Sequence, residues 1–258
     1  MTVYVDVSGQ GPNLALLHGW GLNSAVWNSV REDLARHYTL HLIDLPGHGR
    51  SAGAPVTTLA AMVDAVAHAL PARTHLLGWS LGGHVSLALA QRYPERIDRL
   101  VTVATTPRFV ESKDWPYGKK AEVLADFADR LSRNYATTLR NFLGLQVMGP
   151  GQKPTLVRDT IRALQEAISA HGAPTAASLA AALAILRVSD IRDRIGAISM
   201  PALVLQGDHD ALTAEPAAHW LADHLPDATY CLIEHAAHAP FLSHRDAFLS
   251  HLHAFLSP

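Results

Sequence analysis

The chain has 258 residues and a formal net charge of −2 at pH 7, from 21 Lys and Arg against 23 Asp and Glu. This length suits one domain with an inserted subdomain, which buries its core without disulfide or metal support. The charge gives no basic field to hold a nucleic acid backbone, and no run approaches the roughly 18 apolar residues of a membrane span, so we expect binding to neither nucleic acid nor membrane.

The first eleven residues carry none of the features of a secretion signal. They lack a basic stretch followed by an apolar core, which predicts an unprocessed protein. The single cysteine, Cys231, lies in an apolar run and has no partner for a disulfide within the chain. We therefore expect a cytoplasmic protein.

Short apolar runs alternate with longer segments of helical spacing along the chain. The runs are residues 14–17, 40–43, 75–77, 100–103, 202–205 and 229–233. This alternation is typical of α/β proteins, in which helices flank a mainly parallel sheet. Several runs end directly in Gly, Asp or His, and open α/β sheets build their sites at the carboxyl ends of the strands.

The loop after the first run, His18-Gly19-Trp20-Gly21, is a candidate oxyanion loop. An ester hydrolase needs N–H donors aimed at the oxyanion of the tetrahedral intermediate. When the nucleophile is a serine at a strand-to-helix turn, one donor is the amide after it and the other comes from an early strand loop. We therefore assign the donors to the backbone N–H groups of Trp20 and Leu81, and we expect His18 to orient the loop.

The strongest local pattern is the G-x-S-x-G sequence of residues 78–82, which lies between a strand-like run and a helical stretch. In that context it predicts the nucleophile elbow of the α/β-hydrolase fold, in which a tight turn strains the backbone of Ser80 and flanking glycines let other backbone pass closely. The following helix points its N-terminal amides at the reacting centre. The alternative is a Gly-rich turn with an unreactive serine.

Strand-like runs are missing from residues 108–188, where helical patterns follow one another. The predicted helices cover residues 121–133, 135–147, 155–170 and 175–186, separated by segments that contain Gly and Pro. Four helices without a strand are too many for one ordinary crossover. We predict an α/β-hydrolase core formed by residues 1–107 and 189–258, with residues 108–188 inserted as an all-helical lid.

The acid is expected downstream of the nucleophile, because this fold orders its triad Ser, then Asp or Glu, then His. Two aspartates, Asp208 and Asp210, follow the run 202–205. We favour Asp210, because related hydrolases carry the acid three residues beyond the glycine that ends this strand. Asp208 can serve the turn instead.

The base is expected after the last run, where His235 and His238 lie three residues apart. We predict His238 as the base, because small residues flank it and a Pro-Phe pair then leads into the last helix. We expect His235 to be a solvated loop residue. No carboxylate or cysteine cluster with ligand spacing accompanies the pair, so we expect no metal and no cofactor. Ser80, Asp210 and His238 together predict ester hydrolysis through an acyl-enzyme.

Five segments of the chain together resemble one family of esterases. They are residues 18–23 (HGWGLN), 44–51 (DLPGHGRS), 78–83 (GWSLGG), 142–146 (FLGLQ) and 235–241 (HAAHAPF). The chain resembles the bacterial biotin-pathway carboxylesterases that demethylate pimeloyl-acyl-carrier-protein methyl ester, and the resemblance covers nearly its whole length. It implies that the enzyme frees a carboxylate on a carrier-bound pimeloyl chain for the next biotin-forming step.

The same resemblance implies a set of binding residues. In that family the acyl chain lies between elbow and lid, which corresponds here to Trp20, Leu81, Phe142, Leu143, Gly144, Leu145, Gln146 and His238. Phe142, Leu143 and Leu145 have packing inside the lid as their alternative role. Basic lid residues contact the acidic carrier protein in the family, and the candidates here are Arg140, Lys153, Arg158 and Arg162. One arginine position of the family is Asn141 here, and arginines on a helix also form ordinary solvated surfaces.

Two other functions stay open at this point. A general short-chain carboxylesterase would use the same residues on small ester substrates. A hydrolase-like binding protein would keep the pocket without reacting, and labelling of Ser80 by a fluorophosphonate separates it from an enzyme. We expect the protein to act as a monomer.

Overall fold

The computed structural model describes residues 2–149 and 151–257, and its centre is a seven-stranded sheet. The strands are β1 (Val5–Gly9), β2 (Asn13–Leu17), β3 (Thr39–Ile43), β4 (Thr74–Trp79), β5 (Ile97–Val103), β6 (Ala202–Gly207) and β7 (Ala228–Ile233). Their order across the sheet is β1-β3-β2-β4-β5-β6-β7. β1 pairs antiparallel with β3 and the other pairs are parallel, which confirms the predicted α/β-hydrolase architecture.

Helices cover both faces of the sheet and fill the interval between β5 and β6. They are α1 (Asn28–Ala35), α2 (Leu59–Ala69), α3 (Leu81–Arg92), α4 (Ala121–Arg133), α5 (Tyr135–Leu145), α6 (Pro154–His171), α7 (Ala176–Val188), α8 (Glu215–His224), α9 (Pro240–Ser243) and α10 (Arg245–Leu256). Side-chain oxygens of Thr58, Asn134 and Thr175 cap the N-termini of α2, α5 and α7. Such caps satisfy amides that the first helical turn leaves unpaired.

The strands contribute apolar side chains to two cores, one on each face of the sheet. Successive strand side chains point to opposite faces, so Leu14 and Leu16 pack in one core while Ala15 and Leu17 pack in the other. All four are fully buried. Burial on both faces explains why the parallel strands form continuous apolar runs rather than alternating ones.

The antiparallel edge strand β1 is the one strand that the apolar runs did not predict. Its sequence, VDVSG, alternates polar and apolar residues, and its side chains are only half-buried or exposed. An edge strand needs burial on one face only, so its pattern is weaker than that of the central strands.

The segment between β5 and β6 contains α4 to α7 and no named strand among its described residues. α4 packs against α5 and α7, whereas α6 packs against α5, α9 and a short 3-10 helix at Ser24–Trp27. At the two ends of the segment, Arg108 and Asp190 form a backbone bridge and a salt bridge of 2.5 Å. The lid boundaries predicted from the sequence remain a proposal.

Among the described residues, no single helix combines the length and apolar character needed to cross a membrane. One pair, α6 and α7, passes that test only when the two are taken together, by length and composition alone, and the pair is bent by 118°.

Candidate functional site

Ser80 lies at the turn between β4 and α3. Its backbone has φ 55° and ψ −117°, a conformation that is strained for any residue with a side chain. Two hydrogen bonds hold it there: its N–H donates to the Val103 carbonyl at 2.9 Å, and its carbonyl accepts from the Thr105 hydroxyl at 2.7 Å. The turn therefore presents the Ser80 hydroxyl at the carboxyl end of the sheet, where the sequence pattern predicted it.

Two glycines make this turn possible because other backbone passes directly against them. A Cβ atom on Gly78 would lie 2.3 Å from the carbonyl oxygen of Gly82. A Cβ atom on Gly82 would lie 2.3 Å from the carbonyl oxygen of Leu17 on β2. Real Cβ atoms do not approach other atoms so closely, so both positions require glycine for steric reasons.

The side chains of Ser80, His238 and Asp210 form a hydrogen-bonded series. His238 Nε2 lies 2.9 Å from Ser80 Oγ, and His238 Nδ1 lies 2.8 Å from Asp210 Oδ2. Ser80 is 7% exposed, and the side chains of His238 and Asp210 are 1% and 0% exposed. This geometry suits a serine that gives its proton to a histidine, with a carboxylate holding the ring in the required tautomer.

Asp210 is held ionised by several donors. Its Oδ1 accepts from the backbone N–H groups of Leu212 at 2.8 Å and Thr213 at 3.0 Å, and its Oδ2 accepts from the Thr213 hydroxyl at 2.6 Å. Burial would raise the pKa of this carboxyl, but attraction to His238 and the hydrogen bonds outweigh burial, so the pKa lies below its ordinary value. The other aspartate, Asp208, lies on the same loop but does not bond to His238.

Two contacts on the His238 loop were not predicted from the sequence. The indole Nε1 of Trp79 donates to the carbonyl oxygen of His238 at 2.7 Å. The backbone N–H of His238 donates to the carbonyl oxygen of Gln146, at the end of α5, at 3.0 Å. Trp79 lies within the elbow pattern itself, so its position was visible, but its partner depends on how the loops pack. The backbone of His238 is thus hydrogen-bonded both to the elbow and to the segment 108–188, which we call the helical segment.

The two predicted oxyanion donors are backbone amides on either side of the elbow. Leu81 is the first residue of α3, and no side chain caps that helix end. The positive end of the helix dipole therefore faces the turn. Trp20 follows β2, and its indole Nε1 donates to the Leu179 carbonyl on α7 at 3.0 Å. The donor role of the Trp20 and Leu81 amides remains a proposal.

His18 bridges two loops rather than facing the nucleophile. Its Nδ1 lies 2.8 Å from the Gly19 carbonyl, and its Nε2 accepts the backbone N–H of Leu45 at 3.0 Å. Burial lowers the pKa of the ring, although attraction to Asp44 opposes the shift. A neutral imidazole with both nitrogens bonded to backbone can hold the loop that carries Trp20.

An apolar cavity of about 240 Å³ opens at Ser80. The core closes it on one side, and α4, α5 and α7 close it on the other. Its lining is Trp20, Ser80, Phe109, Lys119, Val123, Leu124, Phe127, Phe142, Leu145, Leu183, Leu186, Ala211 and Leu212. A mostly apolar pocket with a few polar groups at one end is typical of a small-molecule site.

The five residues of the FLGLQ stretch have different environments. Phe142 and Leu145 line the cavity, and the Phe142 ring lies edge-on to Trp20 with centroids 4.9 Å apart. Leu143 is 3% exposed and packs in the core, as its alternative role required. Gly144 and Gln146 are not among the lining residues, although Gln146 holds the His238 loop. Substrate contact by these residues remains a proposal.

The four basic candidates for carrier contact lie on the surface of the helical segment. Arg140 is on α5, Lys153 precedes α6, and all four side chains are exposed. Arg158 and Arg162 on α6 are 72% and 64% exposed, but both lie within 4.0 Å of Asp159. The α6 surface is therefore partly neutralised by its own acids.

A serine at a strained strand-to-helix turn, bonded to a buried histidine and aspartate on a mainly parallel sheet, defines the α/β-hydrolase class. Residues 12–245 match the family described as alpha/beta hydrolase fold. Among solved structures, an esterase from Exiguobacterium antarcticum superposes with a TM-score of 0.88 over 99% of this chain and 96% of that chain, at 20% identity. At that identity the likeness concerns the fold alone.

Curated relatives are more specific. The pimeloyl-[acyl-carrier protein] methyl ester esterase of Nitrosomonas europaea is 41% identical over 249 residues, which cover 96% of this chain and 97% of the relative. The protein of the same name from Klebsiella pneumoniae subsp. pneumoniae is 44% identical over 247 residues, covering 95% and 94%. The chain belongs to this family of carboxylic ester hydrolases.

Proposed function

We propose that this protein hydrolyses the methyl ester of a pimeloyl chain carried by acyl-carrier protein, as a step in biotin synthesis. The observation that carries the proposal is the bonded series of Ser80, His238 and Asp210, whose serine lines an apolar cavity. The relatives, which are named pimeloyl-[acyl-carrier protein] methyl ester esterases, supply the substrate class.

The chemistry would begin at the Ser80 hydroxyl. His238 Nε2 takes the hydroxyl proton as Oγ attacks the ester carbonyl, and Asp210 stabilises the imidazolium that forms. The tetrahedral intermediate then expels methoxide, which takes the proton from His238 and leaves as methanol. Water attacks the resulting acyl-enzyme, giving its proton to His238, and the free carboxylate leaves as the serine is restored.

The oxyanion of both tetrahedral intermediates needs donors that are already in place. The amides of Trp20 and Leu81 are proposed to supply them, because one follows β2 beside the elbow and the other begins α3. Removing one such donor from a hydrolase costs about 10²–10³ in kcat. Backbone amides cannot be removed by substitution, so this part is best tested by a structure with a phosphonate bound to Ser80.

The apolar lining suits a methylene chain rather than a polar acyl group. Burial of one methylene contributes about 0.8 kcal/mol, which corresponds to a factor of about four in kcat/KM. We therefore expect kcat/KM for dicarboxylate monomethyl esters on a carrier to fall about fourfold for each methylene removed from the pimeloyl length. A flat dependence on chain length would favour the general short-chain esterase.

The direct test is demethylation of purified pimeloyl-acyl-carrier-protein methyl ester. Mass spectrometry monitors the reaction through the decrease in the mass of the carrier-bound chain when the methyl ester becomes a carboxylate. We expect turnover by the wild type and a loss of about 10³–10⁶ in kcat for Ser80→Ala. Growth without biotin in a strain that lacks its own methyl ester esterase should be rescued by the wild type and not by Ser80→Ala. Hydrolysis of small esters without demethylation of the carrier-bound ester would refute the substrate assignment.

Carrier docking through basic residues is a separate part of the proposal. Replacing Arg158 and Arg162 by Ala should raise KM for the carrier-bound ester and leave KM for a small aryl ester unchanged, and rising salt should have the same selective effect. Arg36→Ala is the matched control, because Arg36 is also exposed and also pairs with an acid one helical turn away. Equal effects on the two substrates would contradict docking on α6.

The proposal includes a monomeric protein that works in the cytoplasm and binds neither nucleic acid nor membrane. The net charge of −2 supports the part of this proposal that concerns nucleic acids and anionic membranes, since it offers no basic field to a polyanion. Sedimentation equilibrium tests the monomer, and flotation with anionic vesicles tests the membrane.

A further inference from the structure

Three side chains with metal-binding donors meet beside the triad. Asp208 and His209 lie on the loop between β6 and the acid of the triad, which we call the acid loop. His235 lies on the loop between β7 and His238, the base loop. One ligand atom from each of the three lies within 4.8 Å of the others.

The backbone under this cluster is fixed by hydrogen bonds between the two loops. The His209 N–H donates to the Ala236 carbonyl at 2.9 Å, and the Asp208 N–H donates to the Ile233 carbonyl at 3.4 Å. The His235 carbonyl accepts from the Gln152 side chain at 3.1 Å. The backbone is therefore held in place, and binding would require the side-chain donors to close from within 4.8 Å to about 3.4 Å of one another, the separation that tetrahedral geometry gives at zinc–ligand bond lengths.

Two polar atoms of the cluster have no partner in the protein. Asp208 Oδ1 and His209 Nδ1 are buried and form no hydrogen bond with any described residue. Buried polar atoms are normally paired, so each such atom calls for an explanation, and a bound ion is one of them. The side chains of Asp208 and His209 are still 23% and 21% exposed, and His235 is exposed, so the cluster as a whole borders solvent.

We propose that Asp208, His209 and His235 bind one Zn²⁺ ion that clamps the acid loop to the base loop. Two imidazole nitrogens and one carboxylate oxygen are ligands that Zn²⁺ prefers, and water completes the tetrahedron. Ca²⁺ and Mg²⁺ require more oxygen donors than the cluster offers. Along the sequence His235 has only His238 as a neighbouring ligand, which gave no reason to expect a metal, whereas in the fold Asp208 and His209 from the preceding loop lie beside His235.

The clamp leaves the side chains of the triad free. It also borders the helical segment, since a Cβ on Gly149 would lie 2.7 Å from His209 Cβ. Zn²⁺ would therefore stabilise the folded chain at the point where the acid loop, the base loop and the segment 108–188 meet. This inference does not depend on the identity of the ester substrate.

The test uses the full chain without a histidine tag, titrated with Zn²⁺ by calorimetry and followed by thermal unfolding. We expect one Zn²⁺ per chain and a rise in Tm of about 5 °C when free Zn²⁺ is about 100 times Kd, with no rise in Ca²⁺. His235→Asn should weaken binding about tenfold or more. Asn is chosen because His235 has φ 61°, which Asn tolerates.

Three further variants decide the outcome. His209→Gln should weaken Zn²⁺ binding as His235→Asn does. If His235→Asn does not fold, Zn²⁺ binding by His209→Gln alone tests the proposal. His68→Asn, an exposed histidine on α2, is the matched control and should bind as the wild type does. Unchanged Zn²⁺ binding in both cluster variants would overturn the proposal. So would loss of binding in His238→Ala alone, which would locate the ion at the triad.

Discussion

Two buried histidines, His48 and His84, should make the protein less stable as the pH falls from 7.5 to 5.5. Both are 0% exposed, and Nδ1 of each lies near a backbone carbonyl, at 2.9 Å from Pro46 O and 3.1 Å from Thr106 O. Nε2 of each is buried without a partner among the described residues. Burial lowers the pKa of His48 to about 3, with repulsion from His18 adding to the shift, and burial lowers that of His84 to about 4.

The size of the effect follows from proton linkage. Below the ordinary pKa of 6.5, the unfolded chain binds protons at these two histidines that the folded protein does not bind. Their contribution to the free energy of unfolding is therefore complete above pH 6.5 and is lost as the pH falls below it. Between pH 7.5 and 5.5 each histidine removes about 1.4 kcal/mol, or about 3 kcal/mol for the two. Carboxyl groups with an ordinary pKa of 3.8 stay ionised in this window, so histidines dominate it.

Urea unfolding at pH 7.5, 6.5 and 5.5 measures this loss. In the double variant with His48→Asn and His84→Asn, an amide N–H replaces the Nδ1 donor and no group titrates. The double variant should lose about 3 kcal/mol less than the wild type over the same window, whatever its absolute stability. His68→Asn, on an exposed side chain, should lose as much as the wild type. Equal losses in the wild type and the double variant would show that His48 and His84 do not cause the pH dependence.

Three other substitutions test the site. Asp210→Asn should lower kcat on an aryl ester by about 10⁴ with little change in KM, since an amide cannot stabilise the imidazolium; retention of a tenth of the activity would contradict the assignment. Trp79→Phe leaves the buried carbonyl of His238 without its donor, so the free energy of unfolding measured in urea should fall by about 1–3 kcal/mol. An unchanged free energy of unfolding would show that this hydrogen bond does not stabilise the fold. Gly82→Ala should abolish the yield of folded protein, because the new Cβ would lie 2.3 Å from a carbonyl oxygen of β2. Gly53→Ala is the control and should fold normally, because a Cβ at that position would have no atom within 4 Å. Equal yields of the two variants would contradict the close approach at Gly82.

Local pattern accounts for most of what could be predicted. The turn at Ser80 is specified by glycines whose neighbours come from the same strand-turn-helix unit and the adjacent strand. The helices α4 and α5 begin at the predicted residues, because amphipathic spacing and capping are local properties. Local pattern did not predict β1, because this edge strand is half-exposed and its apolar pattern is weak.

Chain order reduced the acid and the base to two candidates each but could not choose between them by contact. Asp208 and Asp210 are two residues apart, and only the path of the acid loop directs Asp210 towards His238 Nδ1 at 2.8 Å. Asp208 Oδ2 lies instead 4.0 Å from His209 Nε2. Such distances depend on the register of β6 and β7 and on how their loops pack, which residue spacing does not record.

In the sequence alone, periodicity and turn chemistry within short stretches predicted the alternation of strands and helices, the elbow and the helical segment, and the order of the triad followed from the fold class that they indicated. Contacts between groups far apart in the sequence are visible only in the folded chain: Trp79 with the His238 carbonyl, the Gln146 carbonyl with the His238 amide, and Asp208 and His209 with His235. Burial and backbone geometry leave a local periodic signal in the sequence, whereas contacts between loops arise only when the sheet brings their strand ends together.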